Sequence, residues 1–256
     1  MADRKEAFVS QINRYPVKGL SAESLDAATV SPRETIPGDR LYALENGTPE
    51  FDPLQPKYFP KTKFLMLMRH EKLALIDSSY DDATNQLVLK RDGKQVAAGD
   101  LSTPAGRTVI EQFFAAYLSR EVQGSPKIVS ADGHSFSDVA MKCLSVVNLN
   151  SVRELGRLAD MDIDPVRFRA NIYVDNVPAW EERNWVGREA RLGDLKVRFV
   201  QETTRCAATN VNPATGERDM HIPKLLQKSY NHPNMGLYAE VLEAGSVRVN
   251  DGVTLA

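Results

Sequence analysis

The sequence is poor in cysteine, which limits the kinds of site that it can build. It holds two cysteines, Cys143 and Cys206, in 256 residues. Two thiols are too few for a disulfide scaffold, a four-thiolate zinc site or an iron–sulfur cluster. The four histidines show no spacing typical of metal ligands. A metal in this protein would therefore bring most of its ligands with it, as it does when it arrives inside an organic cofactor.

A strong charge of one sign and long apolar runs are also missing. The formal net charge is -2 and no basic stripe carries interleaved aromatic residues, so nucleic acid is not an expected partner. The N-terminus has no apolar run of signal-peptide length. The longest apolar stretch, residues 64–68, is too short to cross a bilayer. We therefore expect a cytoplasmic protein with no membrane partner.

Short stretches that predict strands make up most of the chain, with turn residues between them. Helical periodicity is confined to two places, one beginning near Thr108 and one near Ser151, where Ser151 and Glu154 fit a capping box. Four prolines in residues 46–63 predict an extended loop. The pattern predicts a fold that is mostly β with a few helices, built as a barrel or a sandwich. The predicted strands span residues 8–15, 24–30, 40–44, 64–68, 73–76, 86–90, 171–174, 195–201, 237–242 and 246–249.

The length allows two small domains, since domains average about 150 residues. Residues 121–134 are polar and contain glycine, which is typical of a segment between domains. We therefore predict one domain at residues 1–122 and a second at residues 123–256.

Cys206 is the first candidate for a chemical role. It follows a predicted strand and precedes the turn-forming residues Asn212 to Gly216, so it lies where a loop can present a side chain. Arg205 beside it favours the thiolate, the form that binds soft metals and attacks electrophiles. The alternative is a buried cysteine that packs as a small apolar residue, and the local sequence alone favours that alternative.

Two further segments could bind an anion. Arg167 and Arg169 flank an aromatic residue just before the strand that begins near Asn171, and two such arginines can form a fork around a phosphate. Asn150 and Ser151 stand at a predicted helix N-terminus, where free backbone N–H groups suit an anion. Structural roles, as an exposed loop and as an ordinary N-cap, remain open for both segments.

Taken in order along the chain, the short motifs resemble those of the MOSC family, which is named for the C-terminal domain of the molybdenum cofactor sulfurase. The resemblance runs from about Ile12 to the C-terminus and is greatest to the branch that includes the amidoxime-reducing components. The motifs are Tyr-Pro-Val-Lys-Gly at 15–19, Gly-Asp-Arg at 38–40, Arg-Phe-Arg-Ala-Asn at 167–171, Trp-Glu-Glu-Arg-Asn-Trp-Val-Gly at 180–187, Arg-Cys at 205–206, Asn-Pro-Ala-Thr-Gly at 212–216, Met-Gly-Leu-Tyr at 235–238 and Gly-Ser-Val-Arg-Val-Asn-Asp at 245–251.

The resemblance implies an N-terminal β-barrel domain followed by a β-barrel MOSC domain. It implies a molybdenum cofactor, with Cys206 as the catalytic thiolate that binds the metal held by a pterin. Pyridoxal phosphate binding, also attributed to the family, is a further expectation. The implied contacts to the pterin phosphate and the rest of the cofactor are Lys18, Arg40, Asn150, Ser151, Arg169, Asn171, Thr204 and Arg205.

By the same resemblance, the protein is expected to be a molybdenum-dependent oxidoreductase that reduces small N-hydroxylated compounds. The chain shows no ferredoxin domain after its last predicted strand, so the electrons are expected from a separate reductase or ferredoxin-like protein. Two alternatives remain open. The protein could carry sulfur or molybdenum cofactor on Cys206, as a persulfide or as a metal-binding thiolate, or it could be a binding module with Cys206 in its core.

Overall fold

The computed structural model describes residues 6–256 and shows a fold that is mostly β with a few helices, as predicted. The first five residues lie outside that range. They include part of the N-terminus expected to lack a signal peptide and the start of the predicted domain at 1–122.

Within the described residues, the chain forms fifteen short strands, three α-helices and five 3-10 helices. The helices are α1 (Pro104–Tyr117), α2 (Leu149–Ala159) and α3 (Ile222–Tyr230), and the 3-10 helices are Lys61–Lys63, Glu71–Leu75, Pro165–Phe168, Glu181–Trp185 and Ala207–Asn210. The strands are β1 (Phe8–Arg14), β2 (Glu23–Leu25), β3 (Ala27–Val30), β4 (Ala43–Glu45), β5 (Asp77–Asp81), β6 (Gln86–Arg91), β7 (Lys94–Asp100), β8 (Lys127–Val129), β9 (Leu144–Asn148), β10 (Ile172–Asp175), β11 (Glu189–Leu192), β12 (Leu195–Thr204), β13 (Asn234–Glu243), β14 (Gly245–Arg248) and β15 (Val253–Leu255).

The largest sheet has eight strands in the order β15-β11-β12-β13-β9-β10-β1-β2. Its pairs are antiparallel except β9 with β10, which are parallel and are joined through α2. The long strands β12 and β13 pair with three register irregularities. Such bulges increase the local twist, so the sheet curls. Because β1 pairs with β10 and β2 pairs with β1, the first strands of the chain complete a sheet made mainly by its C-terminal half.

Both faces of the central strands β9 and β10 are buried, because alternate side chains of a strand point to opposite faces of the sheet. Val146 and Val174 point into a core shared with β3 and β14, while their neighbours Val147 and Tyr173 point to the other face. That second face packs against α2 and α3, with Leu226 of α3 fully buried there. A strand that is buried on both faces has an unbroken apolar run, as residues 172–174 of β10 do.

A second core lies in the N-terminal half, between α1 and the three-stranded sheet β5-β6-β7. Ile110 and Phe114 of α1 are fully buried against Leu87 and Leu89 of β6. The helix can lie this close because Gly99 of β7 has no side chain. A Cβ there would stand 2.3 Å from the carbonyl oxygen of Gly106 in the first turn of α1.

Some local predictions are wrong. Residues 64–68 form one isolated bridge and a turn rather than a strand, and most of residues 73–76 lie in a 3-10 helix. The helix predicted from Ser151 begins at Leu149, and its N-cap is Asn148, whose side chain accepts from the N–H of Asn150. Ser151 and Glu154 therefore do not form the predicted capping box.

Candidate active site

Cys206 lies where β12 ends and a 3-10 helix begins. The strand ends at Thr204, and the helix Ala207–Asn210 has Cys206 as its N-cap. Thr209 holds this turn, because its hydroxyl and its N–H both donate to the Cys206 carbonyl, at 2.9 and 3.1 Å. The Cys206 side chain is partly exposed and lines a cavity of about 120 Å³. The alternative of a thiol sealed in packed hydrocarbon does not hold.

The cavity lies between segments from both halves of the chain. The N-terminal half contributes residues 18–19, 39–40, 61 and 66–68, and the C-terminal half contributes the rest. Of the nine residues expected at the site, seven line this cavity: Lys18, Arg40, Arg169, Asn171, Thr204, Arg205 and Cys206. The structure therefore brings together motifs that stand far apart in the sequence.

Arg205 is buried beside Cys206 and is held by main-chain carbonyls. Its Nε donates to the Met235 oxygen at 2.7 Å and its Nη1 to the Phe168 oxygen at 2.9 Å. Burial lowers the pKa of its guanidinium, although Tyr238 and Tyr173 oppose this. The remaining nitrogen, Nη2, is buried and has no hydrogen-bond partner among the described residues. One N–H-bearing atom of this arginine is thus free for a ligand.

Arg169 is placed by a left-handed backbone turn, with φ of 50°, at the end of the 3-10 helix Pro165–Phe168. Its Nη1 donates to the Leu20 oxygen at 2.7 Å, and its guanidinium lies 4.2 Å from the centre of the Tyr15 ring. Burial lowers its pKa. Its Nη2 is likewise buried and unpaired within residues 6–256.

Arg40 approaches the same tyrosine, with its guanidinium 4.8 Å from the centre of the Tyr15 ring. It is ion-paired with Asp39, whose side chain is almost fully buried. Burial alone would lower the pKa of Arg40, but the Asp39 carboxylate and Tyr15 hold that pKa above its ordinary value. Arg40 therefore stays protonated at the cavity wall, with Asp39 as its counter-ion.

Two more buried polar atoms on the cavity lining have no partner in the described part of the chain: Arg167 Nε and Thr203 Oγ1. The other two guanidinium nitrogens of Arg167 form a bidentate pair with Asp219, at 2.8 Å each. Buried donors almost always have a partner, because leaving one unpaired costs about 1–3 kcal/mol. Four such atoms belong to residues that line one cavity, and a ligand with several acceptor oxygens, such as a phosphate, could satisfy them.

A carboxylate and two ammonium groups form a separate cluster at this cavity. Asp138 Oδ1 lies 2.5 Å from Lys18 Nζ, and Asp138 Oδ2 lies 3.3 Å from Lys61 Nζ. Burial would raise the pKa of Asp138, but the two lysines hold it well below its usual range. Burial would lower the pKa of Lys61, yet Asp138 and Cys206 together raise it. Lys61 is thus an electrostatic partner of the Cys206 sulfur.

The second cysteine, Cys143, also lines the cavity, but in a different chemical state. It is 5% exposed, and burial raises the pKa of its thiol to about 12. It therefore remains a neutral thiol at physiological pH. Of the two, Cys206 is the one that is partly exposed and has the Lys61 ammonium as a neighbour, so its sulfur is the more accessible to a metal or an electrophile.

Two predicted contacts are not at the cavity. Ser151 donates to both oxygens of the buried Glu182, and the Asn150 side chain donates to the Val177 carbonyl. The reason is the direction of β9. Ser145 at its beginning lines the cavity, so the α2 N-terminus that follows its other end lies away from it. Asn150 and Ser151 therefore do not line the cavity, although the resemblance implied that they contact the cofactor.

Two other predicted residues line the cavity with side chains engaged elsewhere. The Asn171 amide accepts from the Ser145 N–H and donates to the Asn13 carbonyl, so it joins three strands. Thr204 donates to the Asn234 side chain at 2.9 Å. Their hydrogen bonds shape the wall, in contrast to the free nitrogens of Arg169 and Arg205.

Sequence reasoning did not select four residues that the structure places here, namely Lys61, Asp138, Arg167 and Thr203. Arg167 was noted only as half of an arginine fork. Lys61 comes from the proline-rich segment predicted as a loop, and nothing in its neighbours signals a tertiary contact with Cys206. Among residues 6–256 there is also no group of three His, Cys, Asp or Glu side chains that could hold a metal ion unaided.

Comparison with known families agrees with the motifs. The family model of the MOSC domain matches residues 122–254, more than half of the chain, and that of the MOSC N-terminal beta barrel domain matches residues 6–124. The chain belongs to the MOSC family. MOSC proteins are associated with molybdenum cofactor binding.

Relatives of this MOSC protein include two kinds of named proteins. Mitochondrial amidoxime-reducing component 1 of Mus musculus is 24% identical over 96% of this chain and 82% of its own length. Molybdenum cofactor sulfurase of Homo sapiens is 31% identical over 37% of this chain but only 10% of its own length. The YUAD protein from Bacillus subtilis gives a TM-score of 0.43 at 11% identity, covering 98% of this chain and 97% of that one. No helix among the described residues of the MOSC chain is long and apolar enough to cross a membrane.

Proposed function

We propose that this MOSC protein binds molybdenum cofactor at the cavity of Cys206 and acts as an oxidoreductase on N-hydroxylated compounds. The observation that carries the proposal is the set of unpaired buried nitrogens, Arg167 Nε, Arg169 Nη2 and Arg205 Nη2, on the lining of the cavity that Cys206 also lines. A phosphate-bearing cofactor supplies the acceptor oxygens that these nitrogens lack. A soft metal in the same cofactor accepts one thiolate.

The charges of the cavity support a dianionic ligand beside a thiolate. Arg40 is neutralised by Asp39 and Arg167 by Asp219, while no carboxylate of the described residues pairs with Arg169 or Arg205. A phosphate group carries about −1.5 to −2 charges at pH 7. Two unpaired arginines would neutralise such a group, and Lys61 would stabilise the thiolate of Cys206.

The cofactor, when bound, would supply the two-electron chemistry that the reduction needs. The overall reaction of an N-hydroxylated amine takes up two electrons and two protons, breaks the N–O bond, and releases the amine and water. The chain's own residues would hold the cofactor, ligate its metal through Cys206 and keep the Lys61 ammonium beside the sulfur. Two cysteines are too few for a four-thiolate iron–sulfur cluster in this chain, which supports delivery of the electrons by a separate redox protein.

The proposal predicts about one molybdenum and one pterin per chain when the protein is made in a host that synthesises the cofactor. Cys206→Ala should lose the metal and all reduction of a model amidoxime. Cys143→Ala is the matched control, since its thiol stays protonated, and it should keep most of the metal. Absence of both metal and pterin from the unmutated protein, or equal losses from the two variants, would reject the assignment.

A carrier function is the second candidate, and the partial similarity to molybdenum cofactor sulfurase favours it. Cys206 would then hold sulfur as a persulfide, or hold the cofactor for transfer to another protein. Intact mass spectrometry separates the two candidates, because a persulfide on Cys206 in metal-free protein supports the carrier. The same spectra would reveal pyridoxal phosphate on a lysine, the remaining expectation from the family.

A further inference from the structure

Asp138 is the only carboxylate, among the described residues, that pairs with the two cavity lysines. Its two oxygens are divided between Lys18 and Lys61, at 2.5 and 3.3 Å. Lys18 forms a second hydrogen bond, because its Nζ also donates to the Phe136 carbonyl at 2.8 Å. We call Lys18, Lys61 and Asp138 the lysine zone of the cavity. In this zone the hydrogen bonds of the cations are taken up by the protein itself.

The lysine zone reaches the mouth of the cavity. The Asp138 side chain is 44% exposed and that of Lys61 is 29% exposed, whereas that of Lys18 is 7% exposed behind them. Asp138 lies in the irregular segment between β8 and β9, and Tyr58 of the proline-rich loop donates to its main-chain carbonyl at 3.1 Å. A solute that approaches Cys206 from solvent therefore meets Asp138 and Lys61.

Arg169 and Arg205, which we call the arginine zone, differ from the lysines because neither has a carboxylate partner among the described residues. Each has one buried guanidinium nitrogen without a partner, and neither forms an ion pair with a carboxylate of the described residues. Their other hydrogen bonds go to uncharged main-chain oxygens. Within residues 6–256, one cavity thus contains two arginines without a carboxylate partner and two lysines that share one carboxylate.

We propose that Asp138 is an internal counter-ion that closes the lysine zone to anions. An anionic group would then bind only in the arginine zone, and the substrate that reaches Cys206 through the mouth would be neutral or cationic. The second statement rests on the proposed function, whereas the first concerns the chain alone. Asp138 is in this sense a specificity-determining residue rather than a ligand of the cofactor.

The electrostatics follow from the distances. With Asp138 ionised, the lysine zone has a net charge of +1 and its carboxylate repels an incoming anion at close range. Without it, two ammonium groups near the same point would attract an anion as a pair. When a unit charge lies a few ångströms from a bound anion, it changes the affinity for that anion by about several-fold to more than tenfold, even in a partly solvated site. Removing one carboxylate should therefore change anion binding strongly.

The test uses the full chain made without cofactor, titrated calorimetrically with inorganic phosphate at low ionic strength. Asp138→Asn should bind phosphate at least about tenfold more tightly than the unmutated chain, or bind a second phosphate. Asp132→Asn is the matched control, because it removes an exposed carboxylate from the same irregular segment without lining the cavity. It should bind as the unmutated chain does.

Lys61→Met provides an independent arm. In the unmutated chain it should lower phosphate affinity by at most several-fold, because the charge of the lysine zone falls only from +1 to 0 while Asp138 stays paired with Lys18. In combination with Asp138→Asn it should remove most of the gain. Equal affinity of Asp138→Asn and the unmutated chain, an equal gain in Asp132→Asn, or a large loss in Lys61→Met alone would each overturn the proposal. These titrations involve no molybdenum. Their outcome is therefore independent of whether the protein is an oxidoreductase, and either proposal can fail without the other.

Discussion

Arg40 donates a hydrogen bond from Nη2 to the main-chain carbonyl of Arg169, with the two atoms 3.0 Å apart. The residues are 129 positions apart in the sequence, one in each half of the chain. Both guanidinium groups lie over Tyr15, whose hydroxyl donates to the Ala170 carbonyl at 3.3 Å. This contact fixes the N-terminal half against the arginine zone, so the stability of the fold depends on the same residues that we propose to surround the anion.

Arg40→Ala should therefore destabilise the fold. It would leave the Asp39 carboxylate, which is 3% exposed as a residue, buried without its counter-ion. Removing one partner of a buried ion pair costs about 3–5 kcal/mol. Chemical denaturation should show this loss in the free energy of unfolding. Arg33→Ala is the control, because that side chain is 87% exposed, and it should change the free energy by no more than about 0.5 kcal/mol. A similar small change in Arg40→Ala would contradict the coupling.

The hairpin of β6 and β7 shows which parts of the fold the sequence can predict. Asp-Gly is a dipeptide typical of a hairpin turn, and Asp92 and Gly93 both have positive φ, of 51° and 72°, between the paired residues Arg91 and Lys94. Such a turn depends on two neighbouring residues alone. Residues 73–76 are apolar for a different reason: Leu73 and Ile76 pack in the N-terminal core from a 3-10 helix. An apolar run of four residues does not distinguish a buried strand from a buried 3-10 helix.

The residues of the candidate site likewise divide into those that the sequence could predict and those that it could not. Cys206 and Arg205 could be predicted, because they follow a recognisable strand and resemble a family motif. Lys61 and Asp138 could not, because their roles arise from a contact between residues 77 positions apart. Ser151 was misplaced because a helix start looks alike whether it faces a cavity or, as here, a buried Glu182.

The segment after Cys206 is fastened to the N-terminal half by Arg218. Its Nη1 donates to the Ala207 carbonyl at 3.2 Å, and its Nη2 to the Met68 carbonyl at 2.9 Å and to Glu71 at 3.0 Å. Arg218→Ala should make the backbone around Cys206 more mobile. Hydrogen exchange should become faster in peptides covering residues 205–212, and Arg188→Ala, which loses only a contact to the Ala256 carbonyl, should leave them unchanged. Unchanged exchange in Arg218→Ala would show that the cavity does not depend on this residue.

The pair of Arg167 and Asp219 should make stability depend on pH. The Arg167 guanidinium, through its hydrogen bonds, holds the pKa of Asp219 below its ordinary value. A depressed pKa in the folded state gives stability that is present above the unfolded pKa of about 3.9 and is lost as the pH falls through the folded pKa. Asp219→Asn should thus cost about 3 kcal/mol at pH 7, because Arg167 is left buried, and clearly less at pH 3. Denaturation at both pH values measures the difference, with the exposed Asp132→Asn as control. A cost that is the same at both would argue against an ionic contribution.

The two cysteines should differ in reactivity as their surroundings differ. The pKa of Cys143 is raised to about 12, and its side chain is buried, so at pH 8 almost none of it is thiolate. Cys206 is partly exposed beside Lys61 and should react with iodoacetamide first. Peptide mapping of cofactor-free protein should find the label on Cys206 before Cys143, and Lys61→Met should slow the labelling of Cys206 several-fold. Preferential labelling of Cys143 would mean that the reactive thiolate had been assigned to the wrong cysteine. Bound cofactor should protect Cys206, because the sulfur that ligates a metal is no longer free to attack.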